Sequence, residues 1–153
     1  MPIRLMLLIC TSLVAGATGG CSMPRPLSAP KAQVRDVSVV EQTNQGARVE
    51  AVVLLTNPNK TALPLVESSY SLTVSGAGTY EWSDQVHRTL PASGRQVVVL
   101  PAVLATEGVD VRGREYEIDG SIIYKPPGQI RQLMTEAKIP LPRVHFSGKG
   151  QLE

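Results

Sequence analysis

Four carboxylates lie close together in this chain of 153 residues, at Asp110, Glu115, Glu117 and Asp119. Paired carboxylates can serve as the acid and base of a hydrolytic reaction. Glu117 and Asp119 are two residues apart, so in a strand both point to one face, opposite the apolar residues of that segment. We therefore interpret this group as a solvated strand face and not as catalytic machinery.

The other side chains that could do chemistry are few. The chain has two histidines, His87 and His145, and neither has another histidine at ligand spacing. A zinc site needs three or four ligands. No nucleophile elbow, phosphate-binding loop or dinucleotide fingerprint occurs in the sequence. The sequence thus predicts a protein that is not an enzyme and needs no cofactor and no metal.

The charge balance argues against nucleic acid as a partner. Fifteen basic and thirteen acidic residues give a formal net charge of +2, without a run of like charges. Proteins that bind nucleic acid usually carry a clustered basic face.

The first 20 residues have the pattern of a secretory signal peptide. Arg4 precedes a short apolar stretch over residues 5–14, and small residues follow. This stretch is shorter than the ~20 residues needed to span a bilayer. Two cleavage sites compete. Residues 15–17 (Ala-Gly-Ala) fit an ordinary site, whereas residues 18–21 (Thr-Gly-Gly-Cys) resemble the bacterial lipobox, with Thr18 where Leu is usual.

We favour lipidation of Cys21. Cys10 would leave with the signal peptide, so Cys21 would be the only cysteine of the mature chain, and no disulfide could form. The lipobox resemblance implies acyl chains, such as palmitate, on Cys21, and more than one chain gives stable anchoring. Ser22 follows instead of the Asp that commonly retains lipoproteins in the inner membrane. We therefore expect an exported lipoprotein, in the outer membrane facing the periplasm if the host has two membranes.

Residues 21–31 are predicted to form a tether between the lipid and the folded domain. Three prolines occur within residues 22–30, and proline-rich segments are extended and semi-rigid. At ~3.1 Å per residue the segment would reach roughly 25–30 Å.

Residues 32–153 show strand signals at short spacing. Alternation places Val49, Ala51, Val53 and Leu55 on one face, with Arg48 and Glu50 on the other. The predicted strands span residues 33–41, 47–55, 70–75, 96–100, 116–124 and 144–146, with a weaker candidate at 81–88. The run at 96–100 is continuously apolar, as in a buried strand. Together these signals predict an all-β fold, an antiparallel sandwich with one short helix.

The helix is predicted over about residues 129–137. Ile130, Leu133, Met134 and Ala137 recur at helical spacing, after two prolines and before Pro140. We expect this apolar stripe to cover one end of the sandwich and not to bind a partner.

Several short motifs resemble those of one known family, in order and spacing. They are Asn57-Pro58-Asn59, Leu63-Pro64-Leu65, Tyr70 to Gly76 and Tyr116 to Gly120. The chain is similar here to the late embryogenesis abundant type 2 domain, also called the WHy (water stress and hypersensitive response) domain. Many members carry a helix before the closing strand, whereas Gly108 and Gly113 disfavour a long helix at that place.

The resemblance implies an immunoglobulin- or fibronectin-like sandwich without catalysis, associated with desiccation and stress tolerance. For Asn57, Pro58, Asn59 and Pro64 we expect turn geometry and not a ligand site. The predicted function is a non-catalytic, membrane-anchored protein with a stress-protection or binding role. The alternative is an accessory subunit of an envelope assembly. Possible partners are an envelope protein or an unfolded segment captured at a sheet edge.

Overall fold

The computed structural model describes residues Leu27 to Glu153. The predicted signal peptide, Cys21 and most of the tether lie outside these residues. The strands are β1 (Lys31–Gln42), β2 (Gly46–Thr56), β3 (Leu63–Val74), β4 (Gly78–Gln85), β5 (Thr89–Leu90), β6 (Arg95–Ala105), β7 (Glu115–Tyr124) and β8 (Arg143–Gln151). One helix, α1 (Gly128–Glu136), lies between β7 and β8. The weak strand candidate at 81–88 thus corresponds to the second half of β4 and the segment leading to β5.

The strands form two sheets with antiparallel pairing throughout. One sheet has the order β1-β2-β6, and the other has the order β4-β3-β7-β8 with β5 added to β3. The sheets approach each other along β1 with β8 and along β4 with β6. This is the all-β sandwich that the sequence predicts.

The core is built from alternate residues of each strand. Val49, Ala51, Val53 and Leu55 of β2 are all buried, and Arg48 points out to form an ion pair with the half-exposed Glu50 at 2.7 Å. The predicted face of β2 is therefore confirmed. In β3 the buried side chains are at odd-numbered positions up to Leu65 and at even-numbered positions later in the strand. The change occurs because the register shifts by one residue between Leu65 and Glu67.

The prediction that residues 96–100 form a strand buried on both faces is wrong. Val98 and Leu100 face the core, whereas Val97, Val99 and Val103 are 44–60% exposed. β6 is an edge strand of the three-stranded sheet, and within the described residues no element covers the outer face of that sheet. Apolar residues on both faces of a strand therefore do not show that both faces are packed.

The helix forms where it is predicted, but its expected packing is wrong. No residue of α1 is buried, and Ile130 and Leu133 are 42% and 63% exposed. The strands and loops at this end of the sandwich already bury Leu63, Leu90 and Tyr124. Consequently the apolar stripe of the helix is not used to cover the core. No helix in the described part of the chain is long and apolar enough to cross a membrane.

The segment from Thr106 to Arg114 contains turns and no helix, as its glycines predict. Gly108 and Gly113 have φ angles of 84° and 71°, a region that favours glycine. Hydrogen bonds from Val109 N to the Thr106 carbonyl (2.7 Å) and from Arg114 N to the Val111 carbonyl (3.2 Å) close the two turns.

Candidate functional site

The side-chain amide of Asn57 forms the centre of the family motif. Asn57 is 1% exposed. Its Nδ2 donates to the carbonyl oxygens of Thr61 (2.9 Å) and Pro91 (3.0 Å), and its Oδ1 accepts from the backbone N and the Nδ2 of Asn59 (3.0 and 2.9 Å). Both donors and both lone pairs of the amide are therefore used inside the protein. This arrangement leaves Asn57 no group with which to hold a ligand.

Asn59 extends these contacts to the start of the chain. Its Oδ1 accepts from Ser28 N at 2.9 Å, and its Nδ2 donates to the Ser28 carbonyl at 2.8 Å. Its own carbonyl accepts from Ser93 N at 2.7 Å. The two asparagines thus join three segments: the lead-in to β1, the β2–β3 loop and the β5–β6 loop. We call this arrangement the asparagine clamp (Asn57 and Asn59).

The remaining motif residues surround the clamp. Pro58 is exposed in the turn, whereas Leu63 and Leu65 are buried at the start of β3. Pro64 lies between them with its ring exposed, and its carbonyl accepts from Lys125 N at 2.8 Å. These contacts give the residues parts in turn geometry and strand pairing.

Three later motif residues each have a distinct structural role. They are Tyr70, Gly76 and Gly120. The Tyr70 hydroxyl donates to the Pro101 carbonyl and so joins β3 to β6 across the sandwich. Burial, and to a smaller extent the neighbouring charges of Tyr80 and Asp84, raise the pKa of Tyr70. Gly76 has a φ of 78°. A Cβ on Gly120 would overlap the ring of Phe146 and lie 2.8 Å from the Ser69 carbonyl.

The outer face of the five-stranded sheet is polar and rich in hydroxyl groups. We define the hydroxyl face as Ser69, Ser71, Thr73, Thr79, Ser83, Ser121 and Ser147, which strand register brings together from four strands. Thr73 Oγ1 and Thr79 Oγ1 are 2.9 Å apart, and Ser69 Oγ and Ser121 Oγ are 3.3 Å apart. Two shallow depressions of about 530 Å³ each lie along this surface. The face can form many hydrogen bonds with water or with a polar partner. Sequence reasoning missed it, because the alternation of Ser and Thr in β3 is visible but its alignment with β4, β7 and β8 is not.

The clustered carboxylates lie on the same outer face. Glu117 forms an ion pair with Lys149 at 2.7 Å, and this hydrogen bond raises the pKa of Lys149. Asp119 is exposed two residues after Glu117 in β7, and Glu115 is exposed at the start of the same strand. His87 and His145 are both exposed. Within Leu27–Glu153 no three His, Cys, Asp or Glu side chains are grouped closely enough to hold a metal ion.

Comparisons with known proteins support the fold. No model of a known protein family matches the chain, and no curated protein matches its sequence. Among solved structures, that of a candidate late embryogenesis abundant (LEA) protein matches with a TM-score of 0.61 and 20% identity, over 81% of this chain and 70% of that one. A protein from Arabidopsis thaliana matches with a TM-score of 0.60 and 19% identity, over 86% of this chain and 88% of that one. A structural-genomics target matches with a TM-score of 0.54 and 10% identity, over 83% and 89%. The chain thus has an LEA-like β-sandwich fold.

Proposed function

We propose that the protein is a non-catalytic envelope lipoprotein, anchored through Cys21, that protects the cell against desiccation or osmotic stress. The observation that carries this proposal is the LEA-like fold, which extends over 81% of the chain. The asparagine clamp supports it, because the resembling motif residues build the scaffold and the amide of Asn57 has no free hydrogen-bonding group left for a ligand.

The hydroxyl face suggests how such a domain acts. Its hydroxyls, and the carboxylates of Glu117 and Asp119 beside them, exchange hydrogen bonds with bulk water in hydrated cells. When water is withdrawn, the same groups can bond to neighbouring polar surfaces, directly or through retained waters. A protein held at the membrane would then keep adjacent surfaces apart without chemical turnover. The ion pair between Glu117 and Lys149 adds charge of both signs to this face.

The test is a deletion strain complemented with four versions of the gene. These encode the intact protein, Cys21→Ala and the core variant Val53→Asp, with Val40→Asp as the matched control, because Val40 is an exposed valine of β1. Survival after drying or hyperosmotic shock should be restored by the intact protein and by Val40→Asp only. Equal survival of the deletion and parent strains would exclude the stress role. Mass spectrometry of the mature N-terminus should find acylated Cys21, and an unmodified terminus at Thr18 would exclude the anchor.

A second candidate function is an accessory subunit of an envelope assembly, and one observation favours it. Val97, Val99 and Val103 expose apolar surface on the outer face of the three-stranded sheet. Neighbouring Val52 and Leu54 lie in register with Val99 and Val97. A stoichiometric partner recovered from membranes should be lost in Val99→Lys and retained in Thr89→Lys, which adds the same charge at an exposed position of β5 in the other sheet. Retention in both variants would exclude this face as the docking surface.

A further inference from the structure

Helix α1 presents an apolar face that nothing in the described chain covers. Ile130 and Leu133 are exposed on this face, Met134 is half-buried beside them, and Ile139 is exposed just after the helix. Transfer of exposed isoleucine and leucine side chains from water to an apolar or interfacial environment lowers the free energy. Their helical spacing places them together on one face.

The polar side of the helix is satisfied within the helix itself. Gln132 Nε2 donates to Glu136 Oε1 at 2.9 Å, and Thr135 Oγ1 donates to the Arg131 carbonyl at 2.9 Å. The segment is held at both ends, because Lys125 N donates to the Pro64 carbonyl (2.8 Å) and Tyr124 N to the Pro142 carbonyl (3.1 Å). The helix is therefore a fixed projection with one polar side and one apolar side.

The helix lies at the end of the sandwich where the chain enters. Arg143, which begins β8, pairs with Ile123 at the end of β7, and Ala32 in β1 lies close to His145 and Phe146. The asparagine clamp holds Ser28 at the same end. We call this the tether end, defined by residues 27–30, 57–62 and 125–142. Cys21 is six residues before Leu27, and such a segment reaches roughly 20 Å when extended.

Basic residues are distributed unevenly along the sandwich. Basic residues gather in and beside the tether end, namely Lys31, Lys60, Arg88, Arg95, Lys125, Arg131, Lys138 and Arg143. Glu136 is the acidic residue in the segment that contains the helix. The opposite end carries Glu41, Glu107, Asp110, Glu115 and Glu153 with Arg48, Arg112, Arg114 and Lys149 among them, so it lacks the excess of basic residues found at the tether end. Within Leu27–Glu153, Lys125, Arg131, Lys138 and Arg143 form no ion pair, so their charges face solvent.

We infer that α1 and its flanking residues form a second membrane contact, which binds the headgroup region of a bilayer that contains anionic phospholipid. The apolar face would enter the boundary between headgroups and acyl chains, as in interfacial helices. The surrounding lysines and arginines would be attracted to anionic headgroups within a Debye length. The opposite end, where acidic and basic residues are mixed, would then point away from the bilayer. This inference rests on the proposed function only for the acyl chain at Cys21; the headgroup contact depends on the folded domain alone.

The experiment uses the protein purified from membranes with its native N-terminus. A single cysteine, Ala137→Cys, carries an environment-sensitive fluorophore, and Thr79→Cys at the opposite end of β3 and β4 carries the same probe. Each protein is reconstituted with vesicles of phosphatidylethanolamine and phosphatidylglycerol that contain brominated lipid. The probe at position 137 should be quenched, and the probe at position 79 should not.

Charge-reversal variants test the electrostatic part. In Arg131→Glu/Lys138→Glu, quenching at position 137 should fall to the level of position 79, while the acyl chains keep the protein on the vesicle. Arg35→Glu/Arg112→Glu changes the net charge equally at two exposed arginines that form no ion pair in Leu27–Glu153 and lie outside the tether end, and should keep the quenching. Absence of quenching at position 137 in vesicle-bound protein, or equal quenching in vesicles of phosphatidylcholine alone, would overturn the inference.

A second measurement separates this inference from the anchor. If the purified N-terminus is not acylated, co-sedimentation with the same phosphatidylglycerol vesicles replaces quenching. Binding that falls at least about 30-fold in Arg131→Glu/Lys138→Glu, the effect of losing two basic residues near the surface, with little change in the control pair, would support the headgroup contact. Failure of the unacylated parent protein to bind would exclude it, whatever the outcome for Cys21.

Discussion

The side chain of Asn59 and the backbone of Ser28 are joined by two hydrogen bonds, of 2.9 and 2.8 Å. The amide of Asn59 accepts from the backbone N of Ser28 and donates to its carbonyl, as a neighbouring strand would. The two residues are 31 positions apart. Because Asn59 is also bonded to the buried Asn57, the lead-in of the chain is fixed directly to the turn of the family motif.

Asn59→Ala should release this lead-in. The variant loses the bonds to Ser28 and one to Asn57, so we expect stability to fall by about 1–2 kcal/mol. Limited proteolysis and amide hydrogen exchange near residues 28–31 should increase. Lys60→Ala, at the exposed next position, is the control and should change neither. Unchanged exchange near Ser28 in Asn59→Ala would contradict the role of the clamp.

Asn57→Ala should be more damaging than Asn59→Ala. It removes four hydrogen bonds from a buried position and leaves the carbonyls of Thr61 and Pro91 without their donor. We expect a loss of about 3 kcal/mol, measured by urea denaturation. Asn57→Asp serves as a companion variant, because it keeps the acceptor for Asn59 but cannot donate to either carbonyl. A loss in Asn57→Ala no greater than that in Asn59→Ala would show that these bonds are dispensable.

Gly120→Ala tests whether the ring of Phe146, which packs against β7 at Gly120, requires a glycine at that position. The added Cβ would overlap the aromatic ring and approach the Ser69 carbonyl, so we expect destabilisation of about 2–3 kcal/mol. Gly120→Ala/Phe146→Leu should recover part of this loss, because the leucine side chain vacates the overlapping position. The double-mutant cycle measures that coupling. Strict additivity of the two substitutions would show that the ring does not require glycine.

Val53→Asp tests, in the purified protein, the prediction of which face of β2 is buried. Val53 is fully buried, so an unpaired carboxylate there should cost several kcal/mol and unfold the domain. Val40→Asp places the same group at an exposed position of β1 and should change stability by about 0.5 kcal/mol or less. Circular dichroism and thermal melting distinguish the two variants. A normal melting curve for Val53→Asp would contradict the structure.

Tyr70 should make stability depend on alkaline pH. Burial raises the pKa of its hydroxyl in the folded protein, whereas an unfolded tyrosine ionises near about 10. Above pH ~10 the unfolded state binds fewer protons than the folded state, so stability falls as the pH rises, by up to about 1.4 kcal/mol per unit from this residue.

Tyr70→Phe is the matched variant for this pH dependence. At pH ~8 it should be about 1 kcal/mol less stable, because it lacks the hydrogen bond to Pro101. The difference should shrink as the pH rises above ~10, since the variant cannot ionise there. Tyr116 and Tyr124 also have raised pKa values, but they are present in both proteins. Parallel curves for the two proteins in urea titrations would refute the assignment to Tyr70.

Local patterns in the sequence were sufficient for the positions of most strands, the inner face of β2 and the turn chemistry. Alternation identified Val49, Ala51, Val53 and Leu55 as core residues, because side chains of a strand point to opposite faces in turn. Gly108 and Gly113 excluded a helix before β7, since both adopt φ angles that favour glycine. These properties depend on a few neighbouring residues, so the sequence alone determines them.

The tertiary structure decided which apolar surfaces are covered and which distant polar groups meet. Val97 and Val99 have the composition of a buried strand, yet they are exposed because no element of the described residues packs on the outer face of their sheet. Leu133 has the periodicity of a packed helix, yet other residues already close that end of the sandwich. Asn59 meets Ser28, and the serines and threonines of four strands align, only through the register of the sheets. Burial and long-range pairing depend on what the rest of the chain places nearby, and no local pattern contains that information.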